Sequence, residues 1–440
     1  MTPERRRTIL ALSLPIIGGM TSQNLLNLVD TAMVGVLGAP ALAAVGIVSF
    51  VTFVATALIT GLSAAVQATA ARRFGEGKLD ETAVPLNGGL LIAVVVGLPM
   101  SFGLILATPW ILPLLISDPA VIEQGQPYMV ARLAGVVAVG MNFSFRGYWN
   151  GVNQSRVYLY TLLVMHAVNV LLNYCLIFGK FGFPELGTLG AGIGTTASVF
   201  FGSLIYFVMA RRRADSAGFL HRRPSAEQLR ALIRLGLPNS IQQFFFAAGF
   251  TVLYWIIGQV GTNELAVANV LINITLVAVL PGIGMGLAAA SLVGQSLGRQ
   301  DPADAHRWAW DVCKVGAVIF IGLGLPMVLI PDLLLGLFLH EPHLLELGEL
   351  PLRLVGAGIV LDGIGLIMLN ALLGAGASGT VMRVAISLQW FIFLPMAWVL
   401  GPLMGFGLLV IWIAFLSYRL AQALIFIGLW EKKLWVDIKV

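Results

Sequence analysis

Residues 14–31 read LPIIGGMTSQNLLNLVDT and residues 237–254 read LPNSIQQFFFAAGFTVLY, a second Leu-Pro opening 223 positions after the first. The same shift carries Gly38 onto Gly261, Leu42-Ala43 onto Leu265-Ala266, Gly75 onto Gly298, Pro119 onto Pro342, Gly151 onto Gly374 and Ser155 onto Ser378. Both stretches are apolar over several helical turns. The first is interrupted by one carboxylate, Asp30, whose image in the second copy is Leu253. The chain is a duplicated one, and its copies share a scaffold but not their charges.

Composition identifies the solvent around that scaffold. Of the 440 residues 58% are hydrophobic and 11% charged, with a mean hydropathy of +0.91. A soluble domain of this size needs a far more charged surface. Apolar stretches fall near residues 9–36, 41–68, 84–110, 121–148, 156–179 and 187–210, then near 229–258, 264–295, 308–330, 344–371, 380–400 and 405–430. Each can cross about 30 Å of hydrocarbon at about 1.5 Å per helical residue. The fold expected is an all-α polytopic membrane protein of twelve transmembrane helices. An even number of spans per copy starts both copies on the same side. The two six-helix lobes are therefore expected to be parallel, related by a pseudo-two-fold axis along the membrane normal. The division expected is an N-terminal lobe over 1–212, a cytoplasmic linker over 213–228 and a C-terminal lobe over 229–440.

Lysine and arginine give the orientation. With a cytoplasmic N-terminus, the inner segments hold Arg5, Arg6, Arg7, Arg72, Arg73, Lys78, Arg146, Arg156, the cluster Arg211 to Arg234, and Arg299, Arg307, Lys314, Arg383, Lys432, Lys433 and Lys439. Of the 26 basic residues, this leaves Arg132, Lys180, Arg353 and Arg419. Both termini are expected in the cytoplasm of a prokaryote, with the chain in its inner membrane. Residues 9–36 exceed the apolar core of a secretory signal and show no convincing cleavage motif, so they are expected to remain as the first span. The basic linker lacks aromatic interleaving, so no nucleic-acid partner is expected.

Several activities are disfavoured by what the motifs lack. No Gly-rich phosphate loop runs into Lys and Ser or Thr, so an ATP-driven engine is not expected, and neither is an enzyme. Gly282-Ile283-Gly284-Met285-Gly286 lies in an apolar stretch and reads as a packing signal. Cys175 and Cys313 sit in or beside apolar runs and read as small buried hydrophobes. His340 and His343 flank Glu341 in an outer loop, an isolated cluster that points weakly to a metal. Arg132, Arg353 and Arg419 read as side chains that snorkel to an interface.

A carboxylate inside an apolar helix costs on the order of 3 kcal/mol on the most lenient scale, and usually faces an internal cavity. Asp30 in the first span and Asp362 in the tenth are such groups, and Asp362 corresponds to Val139 in the other copy. Gln23, Asn27 and Asp30 have i, i+4, i+7 spacing and form a polar stripe. Asn169 and Asn173 lie one turn apart in the fifth span. If the two helices face each other, the amides can stabilise ionised Asp30, share its proton, or join it around Na⁺, because carboxylate and amide oxygens are hard ligands. His166 shares the fifth span and reads as a structural hydrogen-bonding group or a proton relay. An Asp moving between apolar and polar surroundings can load a proton on one side of a membrane and release it on the other.

Pro15 and Pro238 hold matched places in the first helix of each copy, where a missing N–H favours a bend. In the second copy Asn239, Gln242, Gln243, Tyr254, Asn269, Asn273, Asp362 and Asn370 are polar groups on apolar spans. With Gln23, the residues Asn239, Gln242, Tyr254, Asn273, Asp362 and Asn370 are the substrate-binding candidates. A bulky apolar cation would suit such a lining through aromatic contact and a carboxylate.

These residues resemble the multidrug and toxic compound extrusion (MATE) family, from about Leu10 to Trp430. The resemblance is carried by Leu14-Pro15, Asn27-Leu28-Val29-Asp30-Thr31, Gly38-Ala39-Pro40-Ala41-Leu42-Ala43-Ala44, Gly182-Phe183-Pro184-Glu185-Leu186-Gly187 and Val293-Gly294-Gln295-Ser296-Leu297-Gly298. It implies a V-shaped, two-lobed secondary antiporter that exports organic, often cationic, compounds against entry of H⁺ or Na⁺, with no cofactor. Asp30 matches the family's acid in the first span, Pro15 its bending proline and Asn169 an amide of its cation site. Asn173 stands where several relatives of the DinF branch carry Asp. The seventh span lacks the acid of the NorM-like branch, and Asp362 matches the acid of the tenth. A DinF-like assignment fits Asp30 and Pro15 better.

The expected function is cation-coupled export of amphipathic organic molecules, with Asp30, Asn27, Asn169 and Asn173 as the coupling set. The expected surroundings are membrane lipids, and the expected working form is a monomer. The nearest alternative is a flippase for lipids or lipid-linked oligosaccharides. That alternative calls for a basic internal groove, and the inner spans hold few central Lys or Arg residues. A major facilitator transporter also has twelve spans in parallel halves, but its basic loop signature between spans two and three is absent.

Overall fold

The computed structural model describes residues 1 to 438; Lys439, counted above among the inner charges, lies outside them. The described residues are predominantly helical. The first copy contains α1 (Pro3–Gly35), α2 (Ala39–Gly75), α3 (Val84–Leu115), α4 (Pro119–Leu133), α5 (Val136–Gly151), α6 (Ser155–Phe178) and α7 (Gly187–Arg213). The second contains α8 (Ala226–Val260), α9 (Thr262–Gly298), α10 (Pro302–Leu329), the short α11 (Pro331–Leu335), α12 (Pro342–Gly374), α13 (Ser378–Ile386), α14 (Leu394–Trp398) and α15 (Gly407–Glu431). Among the described residues eleven helices are long and apolar enough to cross a membrane, and α4 with α5 makes a twelfth, bent by 45°. The twelve-span expectation holds. Proline sits in the first turn of α2, α3, α4, α10 and α12, where its missing N–H would be unsatisfied anyway.

Two spans are less regular than their hydropathy suggests. The fourth, a single apolar run in sequence, breaks at Ala134-Gly135. A break in lipid strands carbonyl oxygens that the helix would otherwise use. Here Thr196 Oγ1 donates to the Ala131 carbonyl at 2.7 Å and Ser101 Oγ to the Leu133 carbonyl at 2.7 Å, so neighbouring helices satisfy the gap. The eleventh span is interrupted by two π-helical stretches, Ser387–Phe393 and Val399–Leu403. The first aims Gln389 and Trp390 at α8, where they donate to the carbonyls of Phe246 (3.1 Å) and Phe245 (3.0 Å).

By packing, the chain forms two compact units, Gly18–Ser240 and Met1–Ile17 with Ile241–Val440. These differ from the repeat-based lobes in one respect. Their boundaries fall inside α1 and α8, two residues after Pro15 and two after Pro238. Each unit is organised in the same way around a glycine. In the first, the Gly61 amide donates to Ser240 Oγ at 3.0 Å. In the second, Gly284 lies against Ile17, leaving no room for a Cβ. Gly284 and Ser240 are the images of Gly61 and Ile17 under the 223-residue shift, so the repeat extends to the packing of the helix starts.

The first unit buries Val48, Ile59, Leu62, Met129, Leu133, Val136 and Ile177 in a common core. In the second, Arg5 binds Asp304 Oδ1 at 2.7 Å and Asp311 Oδ2 at 2.6 Å, and its guanidinium lies 3.7 Å from the Trp308 ring centroid. The image of Asp311 is Gly88, which in the first unit lies under Leu229 and Leu232. One seam is ionic and its counterpart apolar.

Candidate functional site

The polar stripe on α1 meets a second stripe on α6. His166, Asn169 and Asn173 have i, i+3, i+7 spacing, and they run parallel to Gln23, Asn27 and Asp30. At one end His166 Nε2 donates to Gln23 Oε1 at 3.1 Å, and Gln23 Nε2 donates to Asn27 Oδ1 at 3.2 Å. At the other Asn173 Nδ2 donates to Asp30 Oδ1 at 2.9 Å and to Asn169 Oδ1 at 3.1 Å. Asn169 Nδ2 donates to Ser198 Oγ at 3.2 Å, and Ser198 Oγ to the Thr195 carbonyl at 2.7 Å. The bonds fall into two sets, His166 to Gln23 to Asn27 and one centred on Asn173, whose two amide N–H groups go to Asp30 and to Asn169.

Small residues on α7 make this chain possible. Gly190, Gly194, Ser198 and Gly202 recur every four residues and face α6, the arrangement that lets membrane helices approach closely. A Cβ on Gly194 would collide with Asn173 Oδ1, and one on Gly202 would lie 2.7 Å from Met165 Sδ. Asn169 and Asn173 are 1% exposed. Asp30 and Gln23 are half-buried and Asn27 is exposed, so the ladder is closed on the α6 side and accessible on the α1 side. Asn173 Oδ1 and His166 Nδ1 are buried and make no hydrogen bond. Among the described residues, no ion pair reaches Asp30.

Of the four coupling candidates, Asp30 and Asn169 are both bonded to Asn173, whereas Asn27 is bonded to Gln23 in the neighbouring set. Ser198 and the α7 glycines were not singled out in the sequence, although their four-residue spacing was there to be read. Gln23, a substrate candidate by sequence, belongs to this ladder. Among the other substrate candidates, Tyr254 Oη donates to Asn269 Oδ1 at 3.3 Å and Asn273 Nδ2 to the Asn269 carbonyl at 2.9 Å. Asn370 is turned to the Leu366 carbonyl of its own helix at 2.9 Å. Asn239 and Gln242 are buried.

At Arg419, beside Asp362, the structure corrects the reading. Arg419 does not snorkel to an interface. It is buried, and its Nη2 lies 2.8 Å from Asp362 Oδ1 and 3.1 Å from Oδ2, with Nη1 3.3 Å from Gln422 Oε1. Leaving either charge unpaired in hydrocarbon costs more than joining them. Arg353 instead pairs along its own helix with Glu349 at 2.7 Å. His343 lies 3.5 Å from Glu341, and no group of three metal-ligating side chains occurs among the described residues.

Long apolar helices with an amide-held carboxylate between two of them define a polytopic membrane protein with a polar site at membrane depth. The family model MatE matches residues 15–175 and again 238–399, two matches that begin on Pro15 and Pro238, and the chain belongs to that family. It is 26% identical over 448 residues to a probable multidrug resistance protein NorM of Thermotoga maritima, covering 98% of this chain and 94% of that one. It is 30% identical over 422 residues to a protein of the same name from Bradyrhizobium diazoefficiens, covering 92% and 89%. The fold matches that of a multidrug resistance MATE family transporter of the MOP superfamily in an outward-facing conformation, with a TM-score of 0.90, 21% identity and coverage of 99% and 97%. A MATE crystal structure in a straight conformation gives 0.89 at 22% identity, covering 98% and 96%.

Proposed function

We propose that this chain exports amphipathic organic compounds, often cationic, against entry of H⁺ or Na⁺. The observation that carries the coupling is the setting of Asp30. It is a carboxylate at membrane depth, held by a neutral amide and accessible from the α1 side. Protonating it breaks no ion pair, since Arg132 acts on it only from a distance, so proton binding and release are both feasible. The residues also suit Na⁺ once the Asn173 amide turns over, because Nδ2 now faces Asp30 and Oδ1 lies toward Gly194, and a carboxylate with an amide oxygen makes a hard donor set. The names of the NorM relatives support organic drugs as the substrate class and do not favour the flippase. The Asp30 and Pro15 pattern supports a DinF-like placement within the family. The basic inner segments support cytoplasmic termini in a prokaryotic inner membrane, and the working form proposed is a monomer.

Transport of several fluorescent cations and lipids into proteoliposomes, under pH and Na⁺ gradients imposed separately, tests the function and names the ion. Asp30→Asn should fold and bind the dye yet lose gradient-driven flux. Wild-type flux in that variant would overturn the role of Asp30, and lipid movement without dye movement would favour the flippase.

A further inference from the structure

We infer that Arg419 is a built-in counter-cation that occupies Asp362, so that the second unit carries an acid at membrane depth but no coupling carboxylate. The inference builds on the reading of Asp30 as the coupling group and extends it to the number of cations moved.

The pair is held by the packing of α12 on α15. Asp362 lies between Gly358 and Gly365 on α12. A Cβ on Gly358 would meet Leu420 Cδ2 of α15 at 3.6 Å, and one on Gly365 would strike Ala423, 2.7 Å from its Cα. The glycines bring the helices together at the level of the carboxylate. Arg419 is one residue before Leu420, so its guanidinium meets Asp362 from the facing helix. The two side chains are 10% and 17% exposed. Gln422 takes a further N–H of Arg419, and the neighbouring Tyr418 is stacked on Phe393, ring centroids 4.6 Å apart. The geometry leaves the guanidinium little freedom to leave.

Chemistry then separates the two acids. Arginine does not deprotonate in proteins, so its positive charge is permanent. A proton on Asp362 would strand that charge in apolar surroundings, and Na⁺ would have to displace a guanidinium already bonded to both carboxylate oxygens. Asp30 is bonded to an amide, and Arg132 acts on it without forming an ion pair, so a cation arriving there displaces no bonded guanidinium. Of these two acids, therefore, Asp30 exchanges its cation and Asp362 does not.

The test counts titrating buried carboxyls in the full-length chain reconstituted in lipid, by infrared difference spectroscopy between acid and alkaline pH. Wild type should show a buried carboxyl band that disappears in Asp30→Asn and persists in the double variant Asp362→Asn with Arg419→Met, which removes both charges together. Arg419→Met alone should add a second titrating band. A wild-type band that disappears in the double variant, with the thermal midpoint showing a folded protein, would overturn the inference. If the single variant does not fold, the double variant still decides. The readout needs no transport, so failure of export in the proteoliposome assay is distinguishable from failure here. Where export is coupled, the reversal potential should give the double variant the same cation-to-substrate ratio as wild type, and a lower ratio would also overturn the inference.

Discussion

Asp30 is useful because of what lies two helices away. Its amide partner Asn173 is seated by Gly194, which has no side chain to push it aside. Gly194→Ala should therefore displace the Asn173 amide. Overpacking of this kind costs about 1–3 kcal/mol, and it should appear as a lower thermal midpoint in detergent together with weakened coupled transport. An unchanged midpoint and an unchanged flux would show that the amide is not held from α7. The sequence displayed every member of this cluster, and the stripe Gln23, Asn27, Asp30 was legible from spacing alone. Which amide would bond the carboxylate was not legible, because that depends on α6 turning the His166 to Asn173 face toward α1. Arg419 was misread for the same reason. A lone arginine in an apolar run looks like a snorkelling side chain until the helix carrying Asp362 is placed beside it.

At the level of the element, Pro15 and Pro238 share a place in the repeat and a place in the packing. Each lies two residues before the boundary between compact units. Each removes an N–H from its helix, and a proline inside a helix costs roughly 3 kcal/mol or more. A residue kept at that cost for local stability alone would be a contradiction. Pro15→Ala is thus expected to leave the thermal midpoint equal or higher while lowering gradient-driven flux. A lower midpoint with undiminished flux would assign Pro15 to stability. Hydropathy located the spans well, since an apolar run of this length has few other fates. It did not reveal the 45° break between α4 and α5, which depends on hydroxyls of Ser101 and Thr196 supplied by other helices. Nor did it reveal the π-helical stretches of the eleventh span, whose Gln389 and Trp390 find their acceptors on α8.

For the whole molecule, the two units solve one packing problem with different chemistry. The start of α1 is fixed by Arg5 on Asp304 and Asp311, whereas the matching seam around Gly88 is apolar. Arg5→Ala would leave Asp311, with a side chain 9% exposed, dependent on Lys314 at 3.8 Å. The expected loss lies below the roughly 3–5 kcal/mol of breaking a fully buried pair, because Arg5 is itself partly exposed. It should lower the thermal midpoint clearly more than Arg7→Ala, whose side chain is exposed. Equal effects would show that the ionic seam does not hold α1. The orientation proposed from the positive-inside pattern is checked by cysteine labelling. Gly182→Cys should react with an impermeant maleimide from outside intact cells and Ser216→Cys should not. The reverse pattern would invert the topology.

The sequence by itself determined that the chain crosses a membrane about twelve times, that it is a duplicate, and that Asp30 and Asp362 are acids within its apolar spans that its symmetry does not share. Hydrophobic length, repeat spacing and the cost of burying charge are local properties, so they can be read from one strand of text. Only the tertiary structure decided what those charges face. It gave Asp30 a neutral amide and Asp362 a permanent cation, because the partner of a buried charge is set by which helix packs against it.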